Sequence, residues 1–126
     1  MAGEIKSTTQ HQHQYPQQYL DEITKYQLQP MDSKGNGGNG DGKTSIGEAL
    51  NNFSKLTNFM RNDGYFTSKQ SKENFENAVS KLPEALVKYA GDDKYFSAQE
   101  MAEFINGSEW NEVLSSRPFN FPWHYM

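Results

Sequence analysis

Apolar residues recur at every third or fourth position through the C-terminal two thirds of the chain. This spacing is typical of helices that bury one face. The first such stretch predicts a helix over residues 45–60, with a buried stripe of Ile46, Leu50, Phe53, Leu56 and Met60. A second helix is predicted to start at Thr67 or Ser68 and to run to about Leu82, burying Phe75, Ala78, Val79 and Leu82.

Shorter helical patterns follow. Pro83 suits the first turn of a helix, where its missing N–H is harmless, and Gly91 suits the end of the same helix. A fourth helix is predicted over 97–106 with Met101, Phe104 and Ile105 inward, and residues 108–114 add a short helical segment. The last ten residues contain two prolines and four aromatic residues, so they do not form a long helix.

The N-terminal third has a different composition. Residues 1–43 are rich in Gln, Gly, Ser, Thr and Asn and poor in large aliphatic residues. Such a segment buries too little apolar surface to offset the loss of chain entropy. We therefore divide the chain into a disordered tail with a Gly-rich linker over residues 1–43 and a helical domain over residues 44–126. Within the tail, residues 19–29 carry three aliphatic residues at helical spacing and could form a short helix.

Composition and charge exclude several classes of function. The 126 residues carry a formal net charge of −4 and no cysteine, so disulfides and thiolate metal sites are excluded. No stripe of Lys and Arg indicates nucleic-acid binding. No apolar run is long enough for a membrane span. The first residues lack the apolar core of an ordinary secretory signal peptide.

A short sequence motif occurs twice and, in a looser form, a third time. Residues 62–70 read NDGYFTSKQ, residues 92–100 read DDKYFSAQE, and residues 39–48 read NGDGKTSIGE. In each, a hydroxyl residue precedes Glu or Gln by three positions. That spacing predicts capping boxes at three helix starts, formed by the pairs Ser45 and Glu48, Thr67 and Gln70, and Ser97 and Glu100.

The order of helices and loops resembles a pair of EF-hands, the helix–loop–helix units that bind calcium. The resemblance is carried by the Tyr-Phe loops at 65–67 and 95–97 and by the helices on both sides of each. It implies an all-α domain of four to five helices with a short two-stranded contact between loops. We expect the segments 65–67 and 95–97 to form that contact.

The resemblance also implies a candidate calcium loop. A calcium loop has twelve residues, with oxygen ligands at positions 1, 3, 5, 7, 9 and 12 and glycine at position 6. With Gly42 at position 6, the loop covers 37–48, and its predicted ligands are Asn39, Asp41, Ser45 and Glu48. Position 1 is Gly37 instead of Asp, so Asn36 or Asp32 would have to supply the missing ligand from an irregular loop.

The other two copies of the motif lack oxygen ligands at positions 1 and 3 of a calcium loop. In the loop 59–70, positions 1 and 3 are Phe59 and Arg61, and in the loop 89–100 they are Tyr89 and Gly91. We expect neither loop to bind calcium. Residues 37–44, GGNGDGKT, also satisfy the spacing of a phosphate-binding loop, but such a loop must follow a buried strand, and the sequence before it predicts none.

Binding to a protein partner is the function that the sequence favours, and no catalytic arrangement is recognisable. Composition and repeat style resemble those of type III secreted proteins of plant-associated bacteria, which implies an exported protein. The alternating aromatic residues Phe119, Phe121, Trp123 and Tyr125 are the candidate partner-binding residues. The alternative is a calcium-binding protein that uses the loop 37–48, with Ca²⁺ as its one candidate cofactor.

Overall fold

The computed structural model describes residues 14–118. These residues form helices and one very small antiparallel sheet. The helical elements are α1 (Gln17–Ile23), a π-helical segment (Thr24–Leu28), α2 (Gln29–Asp32), a 3₁₀ turn (Lys34–Asn36), α3 (Ile46–Asp63), α4 (Lys69–Ser80), α5 (Leu82–Ala90), α6 (Ala98–Ile105) and α7 (Ser108–Ser115). The strands are β1 (Thr44–Ser45) and β2 (Tyr95–Phe96). The predicted all-helical fold with a two-stranded contact is therefore confirmed.

The first helix is continuous over residues 17–32 and belongs to the folded unit. Its side chains Ile23, Leu28 and Met31 are buried in the common core. Ile23 and Leu28 are five residues apart, and the π-helical segment between them brings both to the same face, with the Gln29 N–H bonded to the Thr24 carbonyl. The boundary drawn at residue 44 is therefore too late, because residues 17–32 contribute apolar surface to the core.

The later helices match the predicted ones within a few residues. The predicted capping boxes of α3 and α6 are present, with Ser45 paired to Glu48 and Ser97 paired to Glu100. The third box is shifted by one residue. Helix α4 is capped by Ser68, whose hydroxyl accepts from the Ser71 N–H, and not by Thr67 with Gln70.

The two-stranded contact joins different segments from those predicted. Thr44 lies opposite Phe96, and Ser45 lies opposite Tyr95, in antiparallel register. The prediction that residues 65–67 pair with residues 95–97 is wrong. Phe66 instead packs its ring against Phe75 of the following helix, with ring centroids 5.5 Å apart. The sheet thus links the loop before α3 to the loop before α6.

A cluster of aromatic rings fills the centre of the fold. The Phe53 ring lies 4.9 Å from the Phe104 ring and 4.8 Å from the Trp110 ring, centroid to centroid. Full burial of a ring such as Phe53 stabilises the fold by about 1.5–3 kcal/mol. Around this cluster α1 packs on α6 and α3 packs on α5. The helices before and after the two paired loops therefore share one core.

The two paired loops have the same backbone conformation at equivalent points. Gly42 lies two residues before Thr44 and has φ +87°, and Lys94 lies two residues before Phe96 and has φ +66°. Among the described residues Lys94 is the one non-glycine residue with positive φ. The left-handed region costs a residue with a Cβ about 1–2 kcal/mol. The second loop therefore holds strain at the point where the first loop has glycine.

Exchanging the residue types at these two positions tests this equivalence. Lys94→Gly should raise the free energy of unfolding by up to about 1 kcal/mol, because relief of strain exceeds the added entropy of the unfolded chain. Gly42→Ala should lower it by about 1 kcal/mol, although the space around Gly42 is open. Urea denaturation measures both. Two changes of the same sign would contradict the assignment.

Candidate metal centre

Three carboxylate groups meet at the loop before α3. Asp32 ends α2, Asp41 lies in the loop, and Glu48 lies in the first turn of α3. One oxygen from each side chain can be chosen so that all three lie within 4.8 Å of one another. Asp32 and Glu48 are buried, and Asp41 is exposed. The group is therefore a shallow site with one side open to solvent.

Asp32 is held in place by the backbone of the loop. Its Oδ1 accepts from the Asp41 N–H at 3.3 Å, and its Oδ2 accepts from the Gly42 N–H at 2.8 Å. The chain thus wraps around this carboxylate after leaving the helix. These bonds orient Asp32 toward the other two carboxylates.

Residues 33–38 form a short loop that leaves the end of α2 and comes back to it. The Gly38 N–H donates to the Ser33 carbonyl at 2.8 Å, and the Gly40 N–H donates to the Asp32 carbonyl at 2.6 Å. A Cβ on Gly38 would overlap the backbone of Asp32 and Met31. Only glycine therefore allows the chain to pass this close to the end of the helix.

Residues 33–37 separate Asp32 from the rest of the loop 37–48 that the sequence predicts as a candidate calcium loop. Asp32 to Glu48 covers 17 residues, five more than the twelve of a calcium loop. If residues 33–37 are treated as an insertion, Asp32 takes position 1 and Gly38 takes position 2. The remaining residues read DGNGDGKTSIGE, which matches the spacing of acidic, amide and glycine residues typical of a calcium loop. Of the two alternatives, Asp32 lies at the site and Asn36 lies in the insertion.

Asp41 lies beside Asp32, and Asn39 is bonded to Asp41 and to Glu48. The Asp41 N–H donates to the Asn39 Oδ1 at 3.1 Å, and the Asn39 N–H donates to the Glu48 Oε2 at 2.9 Å. The Lys43 N–H donates to the Asp41 Oδ1 at 3.0 Å. This bond is the main reason that the pKa of Asp41 lies below its ordinary value. Asp41 is therefore ionised at neutral pH.

Ser45 and Glu48 have two possible roles. The Ser45 hydroxyl accepts from the Glu48 N–H at 3.1 Å, and the Glu48 Oε1 accepts from the Ser45 N–H at 2.9 Å. This is the predicted capping box, and it uses the same two side chains that positions 9 and 12 of a calcium loop would use. Their presence alone does not distinguish a metal site from a helix cap. A calcium loop also has oxygen ligands at positions 1, 3 and 5, which a helix cap does not need, and Asp32, Asn39 and Asp41 would supply them.

Within residues 14–118, no lysine or arginine forms a salt bridge with Asp32, Asp41 or Glu48. Salt bridges there join Arg61 to Glu76, Lys81 to Glu112, and Lys88 to Glu109, all away from the site. Lys43, the nearest lysine in sequence to Asp41, places its Nζ 5.3 Å from the centre of the Tyr95 ring. The three carboxylates therefore produce a negative potential that favours a cation.

The loop before α6 repeats part of this arrangement, but it lacks carboxylate or amide side chains at the positions equivalent to Asp32 and Asn39. The Asp93 Oδ1 accepts from the Tyr95 N–H, as the Asp41 Oδ1 does from the Lys43 N–H, and the Glu100 Oε1 accepts from the Ser97 N–H. Position 1, however, is Tyr89, whose hydroxyl donates to Glu109. Burial and this contact raise the pKa of Tyr89 to about 12. Tyr89 is therefore a neutral packing residue.

The other sequence candidates do not add to the site. The residues before Gly37 form a helix and a 3₁₀ turn, so the segment 37–44 lacks the preceding strand of a phosphate-binding loop. Residues 59–63, the start of the middle loop of the sequence, lie inside α3. The aromatic candidates Phe119, Phe121, Trp123 and Tyr125 lie outside the described residues.

Comparison with protein-family models, curated proteins and solved structures finds no match for this chain. Among residues 14–118, no helix is both long and apolar enough to cross a membrane. Binding to a protein partner and export from the cell stay predictions from the sequence.

The close return of the chain at Gly38 generates a testable prediction. Gly38→Ala should lower the free energy of unfolding by more than about 2 kcal/mol, because its Cβ meets backbone that cannot move aside. Gly47→Ala is the matched control in the first turn of α3. Its Cβ would meet only the Ser45 hydroxyl at 3.9 Å, and alanine favours the helix by up to about 1 kcal/mol. Thermal unfolding followed by circular dichroism compares them. Equal stability of the two variants would show that the chain does not return to Asp32.

Proposed function

We propose that this protein binds calcium in an EF-hand-like loop formed by residues 32–48, in which residues 33–37 are an insertion. The observation that carries the proposal is the meeting of the Asp32, Asp41 and Glu48 carboxylates between two helices. Each of the three lies at a position where a calcium loop has an acidic or oxygen ligand once the insertion is removed.

The proposed ligands come from one continuous loop. Asp32, Asn39 and Asp41 supply side-chain oxygens at positions 1, 3 and 5, and Lys43 supplies its backbone carbonyl at position 7. Glu48 supplies two oxygens at position 12. These six oxygens lie within the range of six to eight that calcium prefers. Ser45 stays the helix cap and contacts the ion through a water molecule, as position 9 often does.

The donor set favours calcium over transition metals. All proposed ligands are carboxylate, amide or carbonyl oxygens, and neither histidine nor cysteine is among them. Magnesium requires a compact octahedron with several retained waters, whereas a flexible glycine-rich loop tolerates the longer and more irregular bonds of calcium. Three carboxylates are a modest charge for such a site, so we expect a dissociation constant of roughly 10⁻⁵ M.

The second loop acts as a structural partner for the first. Thr44 and Ser45, which lie between the proposed ligands Lys43 and Glu48, pair with Phe96 and Tyr95 of the other loop. The Ile46 N–H adds a bond to the Lys94 carbonyl at 3.3 Å. An ion at the first loop therefore stabilises both loops, although only one has ligands. The partner loop needs its helix cap for this role and needs no ion.

Two glutamates at equivalent positions provide the test. Glu48→Gln removes a ligand charge, while glutamine keeps the reciprocal bond of the capping box. Glu100→Gln makes the same change in the loop without ligands. At 1 mM calcium a dissociation constant of 10⁻⁵ M adds about 2.7 kcal/mol to the free energy of unfolding. The melting temperature of the unmodified chain and of the Glu100→Gln variant should therefore rise by about 10 °C, and that of the Glu48→Gln variant by much less.

Isothermal titration with calcium chloride on the same three proteins measures the affinity directly. The proposal requires one site per chain in the unmodified protein and in Glu100→Gln. Absence of heat and of thermal stabilisation at millimolar calcium in the unmodified protein would refute it. Loss of binding in Glu100→Gln with retention in Glu48→Gln would place the ion in the other loop.

A further inference from the structure

We propose that Asn51 and Lys55 of α3 are positioning residues for the cation site, acting through the insertion 33–37. The inference rests on the proposed calcium binding and extends it to residues that touch no ion. Both side chains lie on the exposed face of α3, one turn apart. Neither takes part in a helix cap or in the core.

Both side chains donate to one backbone oxygen of the insertion. The Asn51 Nδ2 lies 3.2 Å from the Asn36 carbonyl oxygen, and the Lys55 Nζ lies 3.0 Å from the same oxygen. The next residue, Gly37, has φ +95°, and a Cβ there would come within 2.6 Å of the Asn51 Nδ2. The insertion therefore lies against α3, and its residues 34–37 are exposed on the other side.

The insertion is also tied to the helix that ends at Asp32. The Asn36 Nδ2 donates to the Pro30 carbonyl at 3.1 Å, and the Asn36 N–H donates to the Ser33 carbonyl at 3.0 Å. Asn36 thus joins the end of α2 to α3 through its side chain and its carbonyl. Because Asp32 ends α2 and Glu48 begins α3, this bridge sets the separation of the first and last proposed ligands.

A five-residue insertion between the first two ligand positions adds conformational freedom to the ion-free loop. The loop loses this freedom when the ion binds, and the entropy cost lowers the affinity. Contacts that hold the insertion before the ion arrives reduce this cost. The bonds from Asn51 and Lys55 supply such contacts, so their loss should weaken calcium binding while leaving the helices in place.

If Lys55 acted only through its charge, its removal would change the calcium affinity in the opposite direction. A lysine near a cation site repels the ion, so removing its charge would tighten binding if Lys55 acted only through electrostatics. Positioning predicts weaker binding when the amine is lost. Lys55→Met removes the amine and the charge together, and Lys55→Arg keeps a charged donor. The two mechanisms are therefore separated by the direction of the change in affinity.

Isothermal titration with calcium chloride tests the proposal on the full chain. The double variant Asn51→Ala with Lys55→Met should bind about fivefold more weakly, the loss expected for two exposed hydrogen bonds. Lys55→Arg should bind like the unmodified chain. The matched control, Asn77→Ala with Lys69→Met, makes the same exchanges on exposed positions of α4 and should leave the affinity unchanged.

Deleting the insertion provides the second half of a double-mutant cycle. The cycle separates a positioning role of Asn51 and Lys55 from a general loss of stability. In a chain lacking residues 33–37, Asn51 and Lys55 have nothing to hold, so the same double substitution should leave calcium affinity unchanged. An equal loss with and without the insertion would overturn the proposal. If the shortened chain does not fold, the Lys55→Met and Lys55→Arg pair decides by itself.

Two further results distinguish failure of the positioning role from failure of calcium binding itself. Normal or tighter binding by the double variant, in a protein that binds calcium, overturns the positioning role and leaves calcium binding intact. No calcium binding by the unmodified chain overturns both.

Discussion

Thr44 and Ser45 of one loop pair with Phe96 and Tyr95 of another, and this short antiparallel sheet holds three distant segments of the chain together. Thr44 shows how. Its backbone pairs with Phe96, and its buried hydroxyl donates to the Leu28 carbonyl at 2.9 Å. Leu28 closes the π-helical segment of the first helix. One residue therefore joins the first helix, the loop before α3 and the loop before α6. The carboxylates meet because these three segments are held together.

The same pair of side chains can cap a helix and can occupy positions 9 and 12 of a calcium loop. A hydroxyl followed three residues later by glutamate caps α3 and α6 in the same way. What differs is the chain before each cap. One loop has Asp32, Asn39 and Asp41, and the equivalent positions of the other have Tyr89, Gly91 and Asp93. The two loops therefore share a backbone plan while only one has the charge for an ion.

The helices α3 to α7 could be predicted because local signals and burial agree in them. Phe53 and Met60, Phe75 and Ala78, and Met101 and Phe104 follow helical spacing and are buried. The first helix was predicted only as a short segment within a disordered tail. Its buried residues Ile23 and Leu28 are five apart, a spacing that breaks the helical pattern unless a π-helical turn is present.

The candidate site was predictable in part, for a similar reason. Of the predicted residues Asn39, Asp41, Ser45 and Glu48, the structure brings the carboxylates of Asp41 and Glu48 together with that of Asp32. The sequence leaves Asp32 as one of two alternatives, because residues 33–38 separate it from Asn39. The sequence predicts that the two Tyr-Phe segments pair with each other, but Tyr95 and Phe96 pair with Thr44 and Ser45 instead. Pairing is decided by tertiary packing, which sequence spacing does not contain.

The most direct test of this account is a calcium titration followed by the amide resonances of the ¹⁵N-labelled chain. Amides of residues 39–48 should shift most, those of Tyr95 and Phe96 should shift through the paired strands, and those of α4 should stay unchanged. A spectrum that does not change at millimolar calcium would contradict it. So would shifts centred on residues 89–94, where the structure places no ligand at the first or third position.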